Sequence, residues 1–148
     1  GVTTYASQEY WDEAYSEKQY GESFDWYSTW QADLDGHNLR DLLWPRLKSD
    51  SQILMLGCGN SKMSAMMHEE GLRSITNVDI SQPVIEHMQQ QYGHLEGMTW
   101  RAMDAAALEF PDASFDVAIE KGMFDAVFSG TGEGAQAILQ EARRVLKP

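Results

Sequence analysis

The segment that most constrains the fold is a short apolar run, residues 53–56, followed by Gly57 and Gly59 with one residue between them. A continuous apolar run that ends at a glycine is typical of a parallel strand buried on both faces. The glycines have no Cβ, so the turn can be tight and its backbone can lie close to a ligand. Asn60 and Ser61 then favour the start of a helix. This order predicts a nucleotide-type cofactor site, and the alternative is an ordinary turn with two incidental glycines.

Two positions distinguish between the cofactors that such a turn can bind. The dinucleotide fingerprint has a third glycine three residues after the second, and this chain has Lys62 there. Asp79 ends the next strand-like run, residues 75–78, and an acid about 20 residues past the glycines is where a ribose would be bound. A ribose-binding acid without a complete pyrophosphate turn favours S-adenosylmethionine over NAD.

Several segments, in order along the chain, resemble a known family. Those similar to the motifs of class I methyltransferases are residues 56–60 (LGCGN), 78–79 (VD), 103–104 (MD) and 115–122 (FDVAIEKG). The segments at 10–12 (YWD), 120–122 (EKG) and 125–126 (DA) further resemble the methyltransferase-like group that contains the lysine methyltransferases of translation elongation factor 1 alpha. The resemblance covers nearly the whole chain.

The resemblance implies a fold, a cofactor and a reaction. The expected fold is α/β, a Rossmann-like doubly wound parallel sheet, in one domain that comprises an arm and helix (residues 1–48) and a cofactor-binding core (49–148). The expected cofactor is S-adenosylmethionine, with S-adenosylhomocysteine as product. The expected substrate is a protein lysine, such as one in elongation factor 1 alpha. The alternatives are methylation of a small molecule and a catalytically silent cofactor-binding or interaction module.

The predicted cofactor-binding residues combine the glycine turn and its acid with positions that the resemblance implies. In the family, the N-terminal arm contacts the cofactor, an acid after the third strand contacts the adenine amine, and a lysine after the fourth strand lies nearby. The full predicted set is Trp11, Tyr15, Trp26, Gly57, Gly59, Asp79, Ile80, Asp104, Ala105 and Lys121.

A lysine substrate must lose a proton before it can accept a methyl group, because its ordinary pKa is about 10.4. Glu120, at the end of the predicted fourth strand, is the predicted proton acceptor. The alternative is an ion pair with Lys121 or a structural hydrogen bond. The four histidines lack ligand spacing, so no metal site is predicted.

The first 30 residues are rich in aromatic side chains interleaved with acids. Trp11 and Tyr15 are four residues apart and would share one face of a helix. Aromatic faces attract cations, and the cofactor carries a positively charged sulfonium. We therefore expect this arm to be a lid over the cofactor, and the alternative is a hydrophobic anchor for the N-terminal extension. A leucine stripe then predicts a helix over residues 35–48, which Pro45 would kink.

The remaining pattern predicts strands over 74–78, 98–102 and 115–119 beside the first strand, in the order 3-2-1-4. Helices are expected after the glycine turn, over 81–93 and over 135–146. In the family the tail at 146–148 leads to three further strands, so we expect a truncated sheet. Its fourth strand would be an exposed edge that a second copy of the chain would cover.

Composition restricts the partners. The formal net charge of −12 disfavours nucleic acid and suits a basic protein surface. No apolar run approaches the roughly 20 residues that span a membrane. The single cysteine, Cys58, cannot form an internal disulfide, which predicts a reducing compartment and so the cytoplasm.

Overall fold

A four-stranded parallel sheet is the centre of the molecule. The computed structural model describes residues 5–27, 29–31 and 38–148. The strands are β1 (Gln52–Leu56), β2 (Ser74–Asp79), β3 (Met98–Ala102) and β4 (Val117–Glu120). Their order is β3-β2-β1-β4, with every pairing parallel. The predicted α/β doubly wound sheet and its strand order are therefore confirmed.

Helices connect the strands and precede them. They are α1 (Gln8–Ser16), α2 (Leu39–Leu43), α3 (Met63–Glu69), α4 (Gln82–Tyr92), α5 (Met123–Phe128) and α6 (Ala135–Val145). The predicted helix over residues 35–48 is wrong in extent: α2 has five residues and passes into a 3₁₀ turn over Trp44–Arg46. Pro45 explains the change because its ring nitrogen has no hydrogen to donate. Residues 35–37 of that prediction lie outside the described residues.

The β1 strand lies between β2 and β4, which explains its unbroken apolar sequence. Ile53 and Met55 belong to the core on one face of the sheet, whereas Leu54 and Leu56 belong to the core on the other. Alternate side chains of a strand point to opposite faces, so both faces must be covered. This is why residues 53–56 do not alternate between apolar and polar.

The register of the strands brings their carboxyl ends to one edge of the sheet. Leu56 of β1 lies opposite Val78 of β2 and Glu120 of β4. Asp79, the next residue of β2, lies opposite Ala102 of β3. The turns that follow β1, β2 and β4 therefore meet in one place, where open parallel sheets bind ligands.

The outer side of β4 has no strand beside it in the part of the chain that the structure describes. A dimer through this edge stays a prediction. The described helices include none that is both long enough and apolar enough to cross a bilayer.

Candidate active site

A cavity of about 310 Å³ lies at the carboxyl ends of the strands. Its size falls within the range of small-molecule sites, roughly 300–1,000 Å³. The turns after β1, β2 and β3 form one part of the wall, and α5 with the turn after β4 forms another. The remaining wall comes from the aromatic arm, residues 5–27, which precedes the sheet in the chain.

Every predicted cofactor-binding residue lines this cavity: Trp11, Tyr15, Trp26, Gly57, Gly59, Asp79, Ile80, Asp104, Ala105 and Lys121. The structure thus brings the whole set together, although contact with a cofactor stays a prediction. Glu120 is not a lining residue. Its Oε2 accepts a hydrogen bond from the backbone N–H of Phe124 in α5 at 3.3 Å. That contact is the structural hydrogen bond of the alternative interpretation, and the proton-acceptor role stays a prediction.

The two glycines allow neighbouring elements to approach the turn closely. Gly57 and Gly59 have φ angles of 67° and 52°, a left-handed conformation that favours glycine. A Cβ on Gly59 would lie 2.7 Å from the hydroxyl oxygen of Tyr15, and one on Gly57 would lie 2.9 Å from Cβ of Met123. The turn therefore permits α1 on one side and α5 on the other to close against it.

Replacing Gly59 with alanine tests this close approach. We expect Gly59→Ala to lower the free energy of unfolding by about 0.5–1.5 kcal/mol more than Gly21→Ala, because Tyr15 must leave its preferred rotamer. Gly21 is the matched control, since its φ is 67° and an added Cβ would meet nothing within 4 Å. Urea denaturation of both variants measures the difference, and equal losses would contradict the packing argument.

The Asp79 carboxylate is held by the backbone around it. Its side chain is buried, with Oδ2 accepting from the N–H of Gly59 at 2.9 Å and Oδ1 from the N–H of Ser81 at 3.0 Å. Burial raises the pKa of Asp79, and these N–H groups oppose the rise. A carboxylate offers about four lone-pair sites, so acceptor capacity remains for hydroxyl groups of a ligand. The residue present fits the ribose end of a nucleoside.

Tyr15 places a neutral hydroxyl beside the glycine turn. Burial and the nearby Asp79 carboxylate raise the pKa of Tyr15, so its hydroxyl keeps its proton. The same two causes raise the pKa of Cys58, which makes its thiol unreactive at neutral pH. The direction of this shift favours a packing role for Cys58 over a nucleophilic one.

An aromatic cluster forms the inner side of the arm. It comprises Tyr5, Tyr10, Trp11, Tyr15, Tyr20, Phe24 and Trp26, which pack ring to ring. Trp11 and Tyr15 are stacked, with ring centroids 5.8 Å apart and planes at 26°. Trp26 meets Trp11 edge to face at 6.4 Å. The cluster presents Trp11, Tyr15 and Trp26 to the cavity.

Polar contacts fasten the arm to the sheet edge. The Asn60 amide is buried, accepting from the N–H of Phe24 at 3.1 Å and donating to the carbonyl of Gly21 at 3.2 Å. The expectation that Asn60 caps a helix is therefore wrong, because its side chain is occupied by the arm. Ser61 behaves more as expected, since its Oγ accepts from the N–H of Met63 at the start of α3.

Two further contacts join the arm to the wall formed by α5 and the turn after β4. The Lys121 ammonium lies 2.9 Å from Oδ1 of Asp25, and the Tyr27 hydroxyl donates to the Asp125 carboxylate. The predicted site did not include Asp25, Tyr27 or Asp125. For Asp25 and Tyr27 the available signal was the alternation of acids with aromatic residues in the arm, and for Asp125 it was the segment 125–126, which carries part of the family resemblance. Neither signal identifies the partner of these side chains.

The charged side chains described in the cavity wall are three carboxylates, Asp79, Asp104 and Asp125, and the ammonium of Lys121. Within the described ranges, no three His, Cys, Asp or Glu side chains are grouped as metal ligands.

Comparisons with known proteins agree with this geometry. A sequence model of the methyltransferase domain matches residues 54–148. Mouse EEF1A lysine methyltransferase 4 is 36% identical over 97% of this chain and 58% of its own length. Human eEF1A lysine and N-terminal methyltransferase is 33% identical over 97% of this chain and 20% of its own length. The chain thus spans little more than half of the first relative.

Solved structures show the same fold. A SAM-dependent methyltransferase from Methanosarcina mazei superposes with a TM-score of 0.65 at 28% identity, over 72% of this chain and 52% of its own. Haemonchus contortus phosphoethanolamine N-methyltransferase 1, solved with S-adenosylhomocysteine, has a TM-score of 0.67 at 17% identity, over 99% of this chain and 31% of its own. Sequence, fold and cavity together show that this chain belongs to the methyltransferase domain family.

Proposed function

We propose that this chain binds S-adenosylmethionine and forms the cofactor-binding part of an enzyme that methylates a lysine of a protein, such as translation elongation factor 1 alpha. The observation that carries the proposal is the cavity in which the glycine turn, the Asp79 carboxylate and the aromatic cluster meet. The names of the relatives support the choice of substrate. In this function, residues 1–48 and 49–148 would act as one domain.

The residues present fit the parts of this cofactor. Asp79 would accept hydrogen bonds from the ribose hydroxyls, and Asp104 would accept from the adenine amine, with Ala105 contributing its backbone. The faces of Trp11 and Trp26 would attract a positive charge. The bound cofactor supplies an electrophilic methyl group on a sulfonium, and the chain's own task is mainly to orient the reactants.

The substrate lysine must be neutral when it reacts. Glu120 is our proposed proton acceptor, acting at the end of β4. Its hydrogen bond to the N–H of Phe124 would fix the carboxylate in one orientation.

Charge, sheet edge and cysteine content support expectations about partners and location. A net charge of −12 complements a basic protein surface and disfavours nucleic acid. The uncovered edge of β4 is proposed as a contact between two copies of the chain. The single cysteine supports a cytoplasmic location.

Binding is tested by calorimetry with S-adenosylmethionine, S-adenosylhomocysteine and NAD. We expect both sulfur cofactors to bind more tightly than NAD, because Lys62 stands where the pyrophosphate turn needs glycine. Tighter binding of NAD than of both sulfur cofactors would contradict the proposal.

Methyl transfer is tested with cofactor labelled in its methyl group, using purified elongation factor 1 alpha and a cell lysate as substrates. Label on a lysine, located by mass spectrometry, is the expected result. Label only in small molecules would favour the small-molecule alternative, and binding without any transfer would favour the catalytically silent one. The same methyl-transfer assay compares residues 1–148 with a chain extended to the length of the relatives.

A further inference from the structure

We propose that Tyr27 and Asp125 form the subsite that binds the amino group of the methyl acceptor. The ligand is a primary ammonium at the end of an alkyl chain, as in a lysine side chain. This assignment rests on the proposed function, because an acceptor subsite operates only beside a bound methyl donor. It deepens that function by naming where the acceptor enters the cavity and which groups recognise its charge.

Both side chains lie at the mouth of the cavity, where lining residues are also exposed to solvent. Tyr27 is 65% exposed, and Asp125 is exposed as well, whereas most other lining residues are buried or half-buried. Tyr5 and Phe24 are exposed lining residues too, and their rings pack on the ring of Trp26. This part of the mouth therefore offers aromatic surface and a carboxylate, both of which attract cations.

The two side chains are joined to each other and still have acceptor capacity. The Tyr27 hydroxyl donates to Oδ2 of Asp125. This hydrogen bond raises the pKa of Tyr27, and the nearby Glu120 carboxylate adds to the rise, so the hydroxyl keeps its proton. A carboxylate has about four lone-pair sites, and a phenolic oxygen accepts as well as donates. The pair can therefore accept two N–H groups, which an ammonium has and which a neutral amine keeps after it loses a proton.

The charges of the cavity wall favour a cation beside Asp125. In the proposed function, the ribose and the adenine amine account for two of the three wall carboxylates, Asp79 and Asp104. Asp125 is the carboxylate that remains. The Lys121 ammonium in the same wall already has a carboxylate 2.9 Å away, that of Asp25. The wall as described thus carries more negative than positive groups, and Asp125 is the acid that no part of the cofactor uses.

The backbone of Tyr27 has a conformation that aromatic residues rarely adopt. Its φ angle is 68°, in the left-handed region, which is unusual for a bulky side chain. Residues held in such conformations are concentrated at active sites and ligand-binding sites. Gly122 permits the placement, since a Cβ there would lie 3.3 Å from Cε2 of Tyr27. The conformation therefore favours a functional role for Tyr27 over an incidental surface contact.

Two probes that carry the nucleoside themselves test the subsite. Both are analogues of S-adenosylhomocysteine in which a nitrogen replaces the sulfur. That nitrogen bears an aminopropyl group in one probe and a butyl group of the same length in the other, so only the first brings an ammonium to the acceptor side. Calorimetry gives the ratio of the dissociation constants, butyl probe over aminopropyl probe. We expect this ratio to exceed one for the wild-type chain.

The substitution Asp125→Asn should lower this ratio by about three- to tenfold, because it removes the negative charge that the ammonium meets. Asp41→Asn is the matched control. Like Asp125, Asp41 is an exposed acid in the first turn of a short helix, but it does not line the cavity. The control variant should therefore keep the wild-type ratio.

Tyr27→Phe keeps the inference testable if Asp125→Asn does not fold. Phenylalanine retains the ring but has no hydroxyl, so the ratio should fall by about two- to fivefold. If the pair only fastens the arm to α5, either variant would weaken both probes equally, and the unchanged ratio would overturn the inference. The same result would follow if Asp125 bound the α-amino group of the cofactor, because both probes carry that group.

A wild-type ratio at or below one would also overturn the inference. Failure of the proposed function is a different result, since the wild-type chain would then bind neither S-adenosylhomocysteine nor either probe.

Discussion

Asp79→Ala is expected to weaken the binding of S-adenosylmethionine by about 1.5–3 kcal/mol, which is roughly a 10- to 140-fold rise in Kd. The reason is that hydrogen bonds to a carboxylate are about twice as strong as those between neutral groups. Asp79 is also oriented before the ligand arrives, since the N–H groups of Gly59 and Ser81 hold its two oxygens. Calorimetry on the variant and the wild type measures the loss.

The pH dependence of binding provides an independent check on Asp79. Hydroxyl groups of a ligand donate to the ionised carboxylate, so affinity is complete above the pKa of Asp79 and is lost as pH falls through it. Burial raises that pKa above its usual 3.8, so the loss should begin at a higher pH than for an exposed aspartate. Asp79→Asn should abolish this pH dependence. Unchanged affinity in Asp79→Ala would mean that another group binds the ribose.

Trp30→Ala is expected to lower the free energy of unfolding by about 3–5 kcal/mol. Trp30 is completely buried in the core on the β1 face that contains Ile53 and Met55. Its indole N–H donates to Oε2 of Glu70 at 2.5 Å, and Oε1 of the same carboxylate pairs with Arg40 at 2.6 Å. Alanine removes both the packing and the donor. Since the free energy of unfolding of small domains is only about 5–15 kcal/mol, the variant should lose a large part of its stability.

Trp30→Phe separates the two contributions. Phenylalanine keeps most of the buried aromatic surface but cannot donate to Glu70, so we expect an intermediate loss of stability. Urea denaturation measures all three proteins. A loss below about 1 kcal/mol in Trp30→Ala would contradict the view that Trp30 is a main contributor to this core. In either variant that still folds, the affinity for S-adenosylmethionine relative to S-adenosylhomocysteine should be unchanged, because Trp30 is not a lining residue.

The sheet was predictable because its signals are local. The apolar run at 53–56 and the glycines after it fix the central strand, and Asp79 marks the end of the next. The short helix α5 was not predicted, because six residues provide little periodicity. It follows Gly122, whose φ of 87° reverses the chain immediately after β4. The environment of Glu120 could not be foreseen for the same reason, since its partner lies in α5.

The contacts of the arm were much less predictable than its composition. Aromatic residues at positions 10–26 indicate a packed cluster, but hydrophobic periodicity does not say against what they pack. Asn60 has the sequence signature of a helix cap and instead binds the backbone of the arm. The Asp25–Lys121 pair joins residues 96 positions apart. Such pairings depend on the completed sheet, which brings the arm close to the turn after β4.

The separation between Asp25 and Lys121 also has a consequence for biosynthesis. The arm is synthesised before the sheet, and Lys121, the ion-pair partner of Asp25, lies 96 residues later. At ordinary rates of translation, about 5–20 residues per second, this interval is on the order of 5–20 s. During that time Trp11 and Trp26 have no finished sheet edge to cover, and their apolar surface is available to chaperones. The cavity is therefore completed only after β4 has been synthesised and has joined β1.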